Sequence, residues 1–353
     1  MLSQIQLQEI REHLEKAQNP VFFFDNDVDG LMSFILLRRF INRGKGVAIK
    51  SFPELDETYL KKIEEFNSDY VFILDKPSVS NSFLNEVERK NIPVIWIDHH
   101  DVEINLNHRN VFYYNPILSK KKSSEPTSYI AYKVVNNRKD MWIAVAGCIS
   151  DNYIPEFYND FLKECPELLK RNVESAFEIL YESEFGKLIT ILDFSLKDTT
   201  TNVVSMITFL FDASSPSDIL IESEKNLKIL KRYNQIEKIY SNLIEKAKRI
   251  ARSSRKVIFF HYGGELSISA DIANELSYRF PGKIIIVAHK KGNVANLSIR
   301  GKIDVRKITL EAVKRIPGST GGGHKNATGA KVSIDKLNEF RDFFEEEVSR
   351  RLR

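Results

Sequence analysis

The stretch Val21–Gly30, VFFFDNDVDG, opens with four apolar residues, three of them Phe, and then places carboxylates at alternate positions, Asp25, Asp27 and Asp29. A short unbroken apolar run suits a strand buried on both faces, as in a parallel sheet. Gly30 and the helically spaced LMSFILLRRF behind it predict a strand that hands over to a helix. Charges at such a handover lie at the carboxyl end of the strand, where open α/β sheets bind ligands. Three like charges this close repel one another unless a cation lies among them. The stretch therefore predicts a divalent-metal site.

The same pattern recurs along the next hundred residues. Gly46–Phe52, Tyr70–Leu74, Pro93–Ile97 and Val111–Tyr114 read as strands, with helices predicted at Tyr59–Phe66 and Asn81–Lys90. This alternation predicts an α/β domain with a parallel, doubly wound sheet. The third strand runs into Asp75 and the fourth into Asp98-His99-His100-Asp101. Ser123-Ser124-Glu125-Pro126-Thr127 reads as the capped start of a helix through Val135. Trp142–Ile149, apolar and rich in small residues, is a helix that delivers Asp151. A single Asp after a strand is ordinary turn chemistry. Several strand ends that bring Asp and His to one rim are what a constructed site requires. Carboxylates mixed with imidazoles suit Mn²⁺ or a related ion better than Ca²⁺.

At 353 residues, two domains are the default expectation. Lys and Arg number 52 against 48 Asp and Glu, a formal net charge of +4, which permits nucleic-acid binding without arguing for it. The basic clusters at Lys120–Lys122, Lys246–Lys256 and the Arg-rich C-terminus read first as solvated faces. Two cysteines, Cys148 and Cys165, exclude a disulfide scaffold. The N-terminal MLSQIQLQEIREHLEKAQ is an amphipathic helix with acidic residues, unlike a signal peptide. No apolar run approaches the roughly 20 residues that cross a bilayer. A cytoplasmic protein without membrane contact is expected. His13, His108, His261 and His289 lack a motif and read as packing or surface residues.

The Glu156–Ser217 region is helical and mixed, and reads as the rest of the first domain or an insertion in it. Glu222–Ala251 is a long charged helix with apolar positions at Leu227, Leu230, Ile236, Ile239, Leu243 and Ile250, suited to bridging domains or binding a partner. A second, smaller α/β unit follows, with strands at Val257–Tyr262, Lys283–His289 and Val294–Arg300 and helices at Ile272–Phe280, Val305–Arg315 and Ile334–Arg351. Gly318–Gly329, GSTGGGHKNATG, lies between the last two helices. The domain expectation is therefore residues 1–220, a connecting helix over 221–254, and residues 255–353. Glycines let backbone amides approach a phosphate closely, although GGG alone also marks an ordinary turn. Arg300 can grip a phosphate bidentately, and His324 can add a donor, with Thr320 and Asn326 beside them.

DNDVDG, the strand into Asp75, IDHHD and Asp151 together resemble the four-motif signature of the DHH phosphoesterase superfamily. NLSIRG and GGGHKNATGA resemble the phosphate-gripping motifs of its associated C-terminal domain. The order covers nearly the whole chain, and the long connecting helix is similar to that of RecJ-like exonucleases. Among these the archaeal RecJ-like group, and within it the Hef-associated nucleases, is the nearest resemblance. The resemblance implies two divalent cations, Mn²⁺ before Mg²⁺, one held by Asp25, Asp27 and Asp75 and the other by Asp29, Asp75, His99 and Asp151. Asp98 would orient an imidazole from behind, and His100 would face the scissile phosphate. Arg300, Gly321, Gly322, Gly323, His324 and Asn326 would hold the nucleotide end. One position departs: many members carry His where this chain has Asp25.

The activity these features imply is that of an exonuclease releasing 5′-mononucleotides from single-stranded DNA or RNA, with 3′→5′ polarity suggested by the subfamily. Roles in repair or at replication forks, with a helicase partner, rest on the same resemblance, and a homo-oligomer is left open. The nearest alternative is the same chemistry on short oligoribonucleotides, 3′-phosphoadenosine 5′-phosphate or cyclic dinucleotides. A replicative-helicase scaffold that has lost catalysis is another, disfavoured because every ligand position is filled. Pyrophosphatase or polyphosphatase activity is a third, disfavoured by the GGGH region. Tyr113, Tyr114 and Asn115 could line a substrate cleft, with sheet packing the alternative for the two tyrosines.

Overall fold

The structure, a computed structural model, describes residues 1–50, 54–102, 104, 106–119, 122–254 and 256–351. The end of the expected second strand and two of the three lysines at 120–122 lie outside them. The chain divides into two compact units, Met1–Tyr233 and Asn234–Arg353.

In the first unit, α1 (Gln4–Lys16) starts at a capping box between Ser3 and Gln6. The strands β1 (Pro20–Asp25), β2 (Lys45–Ile49), β3 (Tyr70–Leu74), β4 (Val94–Ile97) and β5 (Val111–Tyr114) form a fully parallel sheet, ordered β2-β1-β3-β4-β5. The unbroken apolar run of β1 has a plain cause. Phe22 and Phe24 enter a core with Phe34 and Leu36 of α2 (Val28–Ile41) on one face of the sheet. Val21 and Phe23 enter another with Ile63 of α3 (Leu60–Glu65), and with Phe83 and Val87 of α4 (Asn81–Arg89), on the other. Since β2 lies on one side of β1 and β3 on the other, the chain's winding reverses between β1 and β3. Their carboxyl ends therefore flank the topological switch point, the expected place for a ligand.

The remaining helices of this unit wall in the α2 face. α5 (Thr127–Val135) and α6 (Met141–Ser150) pack against α2. The region expected to be helical and mixed resolves into α7 (Tyr158–Glu164), α8 (Ala176–Glu182), α9 (Glu184–Leu196), α10 (Thr200–Asp212) and α11 (Ser217–Leu220). Phe161, Ile179, Phe185, Leu192 and Met206 join the core that contains Phe22 and Phe24, so these helices belong to the domain's own core.

The long helix α12 runs from Leu227 to Ser253, shorter than expected at its start. The cause is Asn226, whose buried amide donates to the carbonyls of Asp218, Ile219 and Ile221 and holds the chain in a turn. The compact units part inside this helix, at Tyr233–Asn234. Its buried stripe is Ile236, Tyr240, Ile244, Ala247 and Ala251, whereas Leu227, Ile239 and Ile250 are exposed. Of the apolar positions read from the sequence, Leu230 and Ile236 are buried and Leu227, Ile239 and Ile250 are not, because Tyr240, Ala247 and Ala251 carry much of the buried face.

The second unit holds a mixed sheet ordered β6-β7-β8-β10-β9. It is built from β6 (Val257–Gly263), β7 (Ile284–Lys291), β8 (Val294–Arg300), β9 (Thr320–Gly323) and β10 (Ala327–Ser333). α13 (Ser269–Arg279), α14 (Val305–Lys314) and α15 (Leu337–Arg351) accompany it. The glycine-rich segment Gly318–Gly329 contributes to a hairpin: β9 pairs antiparallel with β10, Gly322 opposite Gly329. Short strands with little side chain carry no alternation for a sequence reading to detect.

Gly147 of α6 packs directly on α5: a Cβ there would lie 2.5 Å from Ser128 Cβ and 3.1 Å from Met32 Cβ. Gly147→Ala is expected to destabilise the first unit by about 1–3 kcal/mol through overpacking. Both tryptophans, Trp96 and Trp142, lie in that unit, so their fluorescence during urea unfolding reads it selectively.

Candidate metal centre

Asp25 is the last residue of β1, and Asp27 caps α2, its Oδ1 accepting from Gly30 N at 2.9 Å. Gly30 is required here because a Cβ would lie 2.5 Å from the Asp25 carbonyl oxygen. Asp75 follows β3 directly, with its amide still bonded to Ile97 O at 2.9 Å and φ at 59°. A left-handed non-glycine residue is uncommon and gathers at functional sites. These features bring ligand atoms of Asp25, Asp27 and Asp75 within 4.8 Å of one another. A second such group joins Asp75 to His99 and His100. Asp75 is common to both. His99 Nε2 lies 3.3 Å from Asp75 Oδ1 and 3.5 Å from Asp151 Oδ2, which puts Asp151, at the end of α6, beside the second group.

Behind this rim, the buried Asp98 binds His100 Nδ1 at 2.7 Å. Tyr113 OH donates to its other oxygen at 3.4 Å, and Asn115 Nδ2 donates to Tyr113 OH and to the His100 carbonyl. Asp98 therefore orients His100 rather than His99. The alternatives open for Tyr113 and Asn115 resolve into a third possibility, a hydrogen-bonded brace for that imidazole.

Asp29 has a more constrained place. Its carboxylate accepts from Thr127 N at 2.8 Å, Ser128 N at 3.0 Å and the Ser128 hydroxyl. It thus caps α5 from a distant part of the chain, whereas Pro126 just before that helix offers no side-chain cap. The local cap expected from Ser123–Thr127 is replaced by this one. Three donors leave a carboxylate further lone-pair capacity, so capping does not forbid a metal bond. Asp29 nevertheless stands outside the two ligand groups described above.

The electrostatics are those of a site built for cations. Burial raises the Asp27 and Asp75 carboxyls well above their ordinary range, and the charges of the neighbouring Asp residues raise them further. Asp29 is raised by desolvation against the opposing pull of His99. Asp151 is pushed up to about 6, by desolvation in the crowded rim and by Asp29 and Asp98, against His99 and His100. For His100, desolvation alone would lower the pKa, but Asp98, with Asp151 and Asp27, outweighs it and brings it to about 9. Hard oxygens with an imidazole fit Mn²⁺ or Mg²⁺. Sequence reasoning missed Lys76, whose side chain is 1% exposed and whose Nζ stands 4.0 Å from Asp25 Oδ1. Adjacency to Asp75 was its one available signal.

In the second unit, the register places Arg300 opposite Ala327 and Gly323 opposite Thr328, so Arg300, Gly323, His324 and Asn326 share one end of the sheet. Arg300 Nε donates to Asn274 Oδ1 at 2.6 Å, which orients the guanidinium. The three glycines have separate reasons. Gly321 meets Thr309 and Val313 of α14, and Gly323 has φ 128°, whereas a Cβ on Gly322 would meet nothing within 4 Å. Packing does not explain that last glycine.

Groups whose folded pKa is raised stabilise the fold below their unfolded pKa and lose that contribution as pH rises through the folded value. For Asp151 the loss runs from the ordinary 3.8 up to about pH 6, and for Asp27 and Asp75 it extends well above 3.8. The metal-free first unit is therefore expected to become less stable from pH 5 to pH 8, and Mn²⁺ to restore it increasingly over the same interval. Tryptophan-monitored unfolding with and without Mn²⁺ measures this, and calorimetry in two buffers detects protons released on binding near pH 6.

Comparison with known proteins agrees with this architecture. Residues 21–158 match the DHH family, N-terminal domain, and residues 254–350 match the DHHA1 domain. An uncharacterized protein of Methanocaldococcus jannaschii is 34% identical over 143 residues, 38% of this chain and 31% of that protein. The chain thus spans less than a third of the curated relative it matches. RecJ from Thermus thermophilus in complex with Mn²⁺ superimposes with a TM-score of 0.73 at 15% identity, covering 99% of this chain and 55% of RecJ. An exonuclease RecJ bound to manganese gives 0.69 at 15% identity, covering 99% and 96%. At such identity these structures speak for the fold. With both domain types matched in order, and a five-stranded parallel sheet followed by a five-stranded mixed one, the chain belongs to the DHH superfamily with a C-terminal DHHA1 domain.

Proposed function

We propose that the chain is a metal-dependent phosphodiesterase that acts as an exonuclease on single-stranded DNA or RNA and releases 5′-mononucleotides. The observation that carries the reading is Asp75, shared by two groups of ligand atoms as a bridge between two cations would be. Asp25 and Asp27 complete one position, and His99, with Asp151 beside it and Asp29 behind, the other. Two divalent ions bound there would supply an acidified water and neutralise charge that develops on phosphoryl oxygens. Asp98, bonded to His100 Nδ1, favours the protonated imidazole and orients His100 as a donor for a phosphoryl or leaving oxygen. Arg300, held by Asn274, and the open backbone at Gly322, with His324 and Asn326, suit a terminal phosphate. Polarity of 3′→5′ and a role in repair or at replication forks with a helicase partner rest on the resemblance, and a cytoplasmic setting on the sequence composition. Among the described residues no helix is long and apolar enough to cross a membrane.

End-labelled single-stranded DNA and RNA of graded length, digested with Mn²⁺ or Mg²⁺, test the reading. A 5′ label is expected to yield a descending ladder, and a 3′ label an early mononucleotide. Hydrolysis confined to di- to pentanucleotides overturns it in favour of an oligoribonuclease. Asp75→Asn is expected to abolish turnover, and His100→Asn to lower kcat by about 10²–10⁴-fold. Arg300→Met is expected to raise KM for strand ends while leaving Mn²⁺ binding unchanged.

A further inference from the structure

Lys76 is among the largest fully buried side chains of the protein. Buried lysines almost always have a partner of opposite charge. Its Nζ donates to the Lys50 carbonyl at 2.5 Å and lies 4.0 Å from Asp25 Oδ1. Trp96 Nε1, one strand away, donates to the Lys76 carbonyl at 2.8 Å and fixes the backbone from which the side chain departs. The ammonium thus belongs to the Asp25–Asp27–Asp75 side of the rim.

Charge balance gives this placement a meaning. Asp25, Asp27, Asp29, Asp75 and Asp151 carry five negative charges when ionised, and Asp98 is taken up by His100 at 2.7 Å. Two divalent ions return four of the five. We infer that Lys76 is an internal counter-ion for the fifth, and that it makes the two metal positions unequal by weakening cation binding at the Asp25–Asp27–Asp75 group. The inference rests on the two-ion reading above. A fixed positive charge beside a cation site repels the incoming ion, and before that ion arrives it relieves repulsion among the carboxylates. The ion at this position is therefore the weaker-bound and more readily exchanged of the two.

Calorimetric titration of the metal-free, full-length protein with Mn²⁺ tests it. Two unequal steps are expected in the unaltered chain. Lys76→Met is expected to tighten one step by about tenfold, the sign and scale of removing one nearby like charge, and Asp25→Asn to weaken it. The double variant Asp25→Asn/Lys76→Met, with neither charge buried, is expected to bind more tightly than Asp25→Asn alone. That comparison serves where Lys76→Met does not fold. Unchanged or weaker affinity on losing Lys76 in both backgrounds marks a packing role and overturns the inference alone. Absence of Mn²⁺ binding in the unaltered protein overturns the two-ion reading, and the inference falls with it.

Discussion

Carboxylates crowded into a low-dielectric rim repel one another and resist ionisation, and the first unit is arranged around that repulsion. The switch point between β1 and β3 brings Asp25, Asp27 and Asp75 together, since each is placed by backbone geometry at or just past a strand end. Around them the protein distributes compensating groups. Amides of α5 take up Asp29, His100 takes up Asp98, and Lys76 faces Asp25. Each arrangement depends on packing elsewhere. Ser128 reaches Asp29 because Gly147 lets α5 and α6 close on each other, and α6 in turn ends at Asp151.

The two ends of this arrangement differ in chemical character. On the Asp25 side the ligands are carboxylates with an ammonium behind them, a hard environment of fixed charge. On the His99 side, imidazoles enter, and Asp98, Tyr113 and Asn115 form a braced network behind His100. Both sides carry groups of possible metal ligands, oxygen-only at the Asp25 side and oxygen with imidazole nitrogen at the His99 side. Asp75 joins them from a left-handed backbone conformation that few non-glycine residues adopt.

Much of this was legible in the residues. β3, β5 and β8 coincide with the apolar runs that predict them, and the parallel sheet follows from their alternation with helices. The rim was legible too, because strand ends position side chains with little help from distant chain. What escaped depends on contacts remote in sequence. Asp29 as the cap of α5 spans 98 residues and leaves no local pattern. Lys76 reads as an ordinary basic residue until the fold buries it. The hairpin through Gly321–Gly323 lacked the side-chain alternation that marks a strand, and the C-terminal part of the α12 stripe runs through Ala247 and Ala251, which carry little apolar signal.

Asp75 and Lys76 are neighbours in the chain, and that adjacency bears on assembly during synthesis. The ribosome delivers Asp25, Asp27 and Asp29 early, when they sit in an extended, hydrated segment and repel little. The group becomes crowded only once β3 docks beside β1, and the step that brings Asp75 brings Lys76 in the next residue. Asp75 thus cannot join Asp25 and Asp27 without bringing a cationic side chain in the same step. The later residues, from Asp98 to Asp151, are then added to a half-site whose charge is already partly balanced.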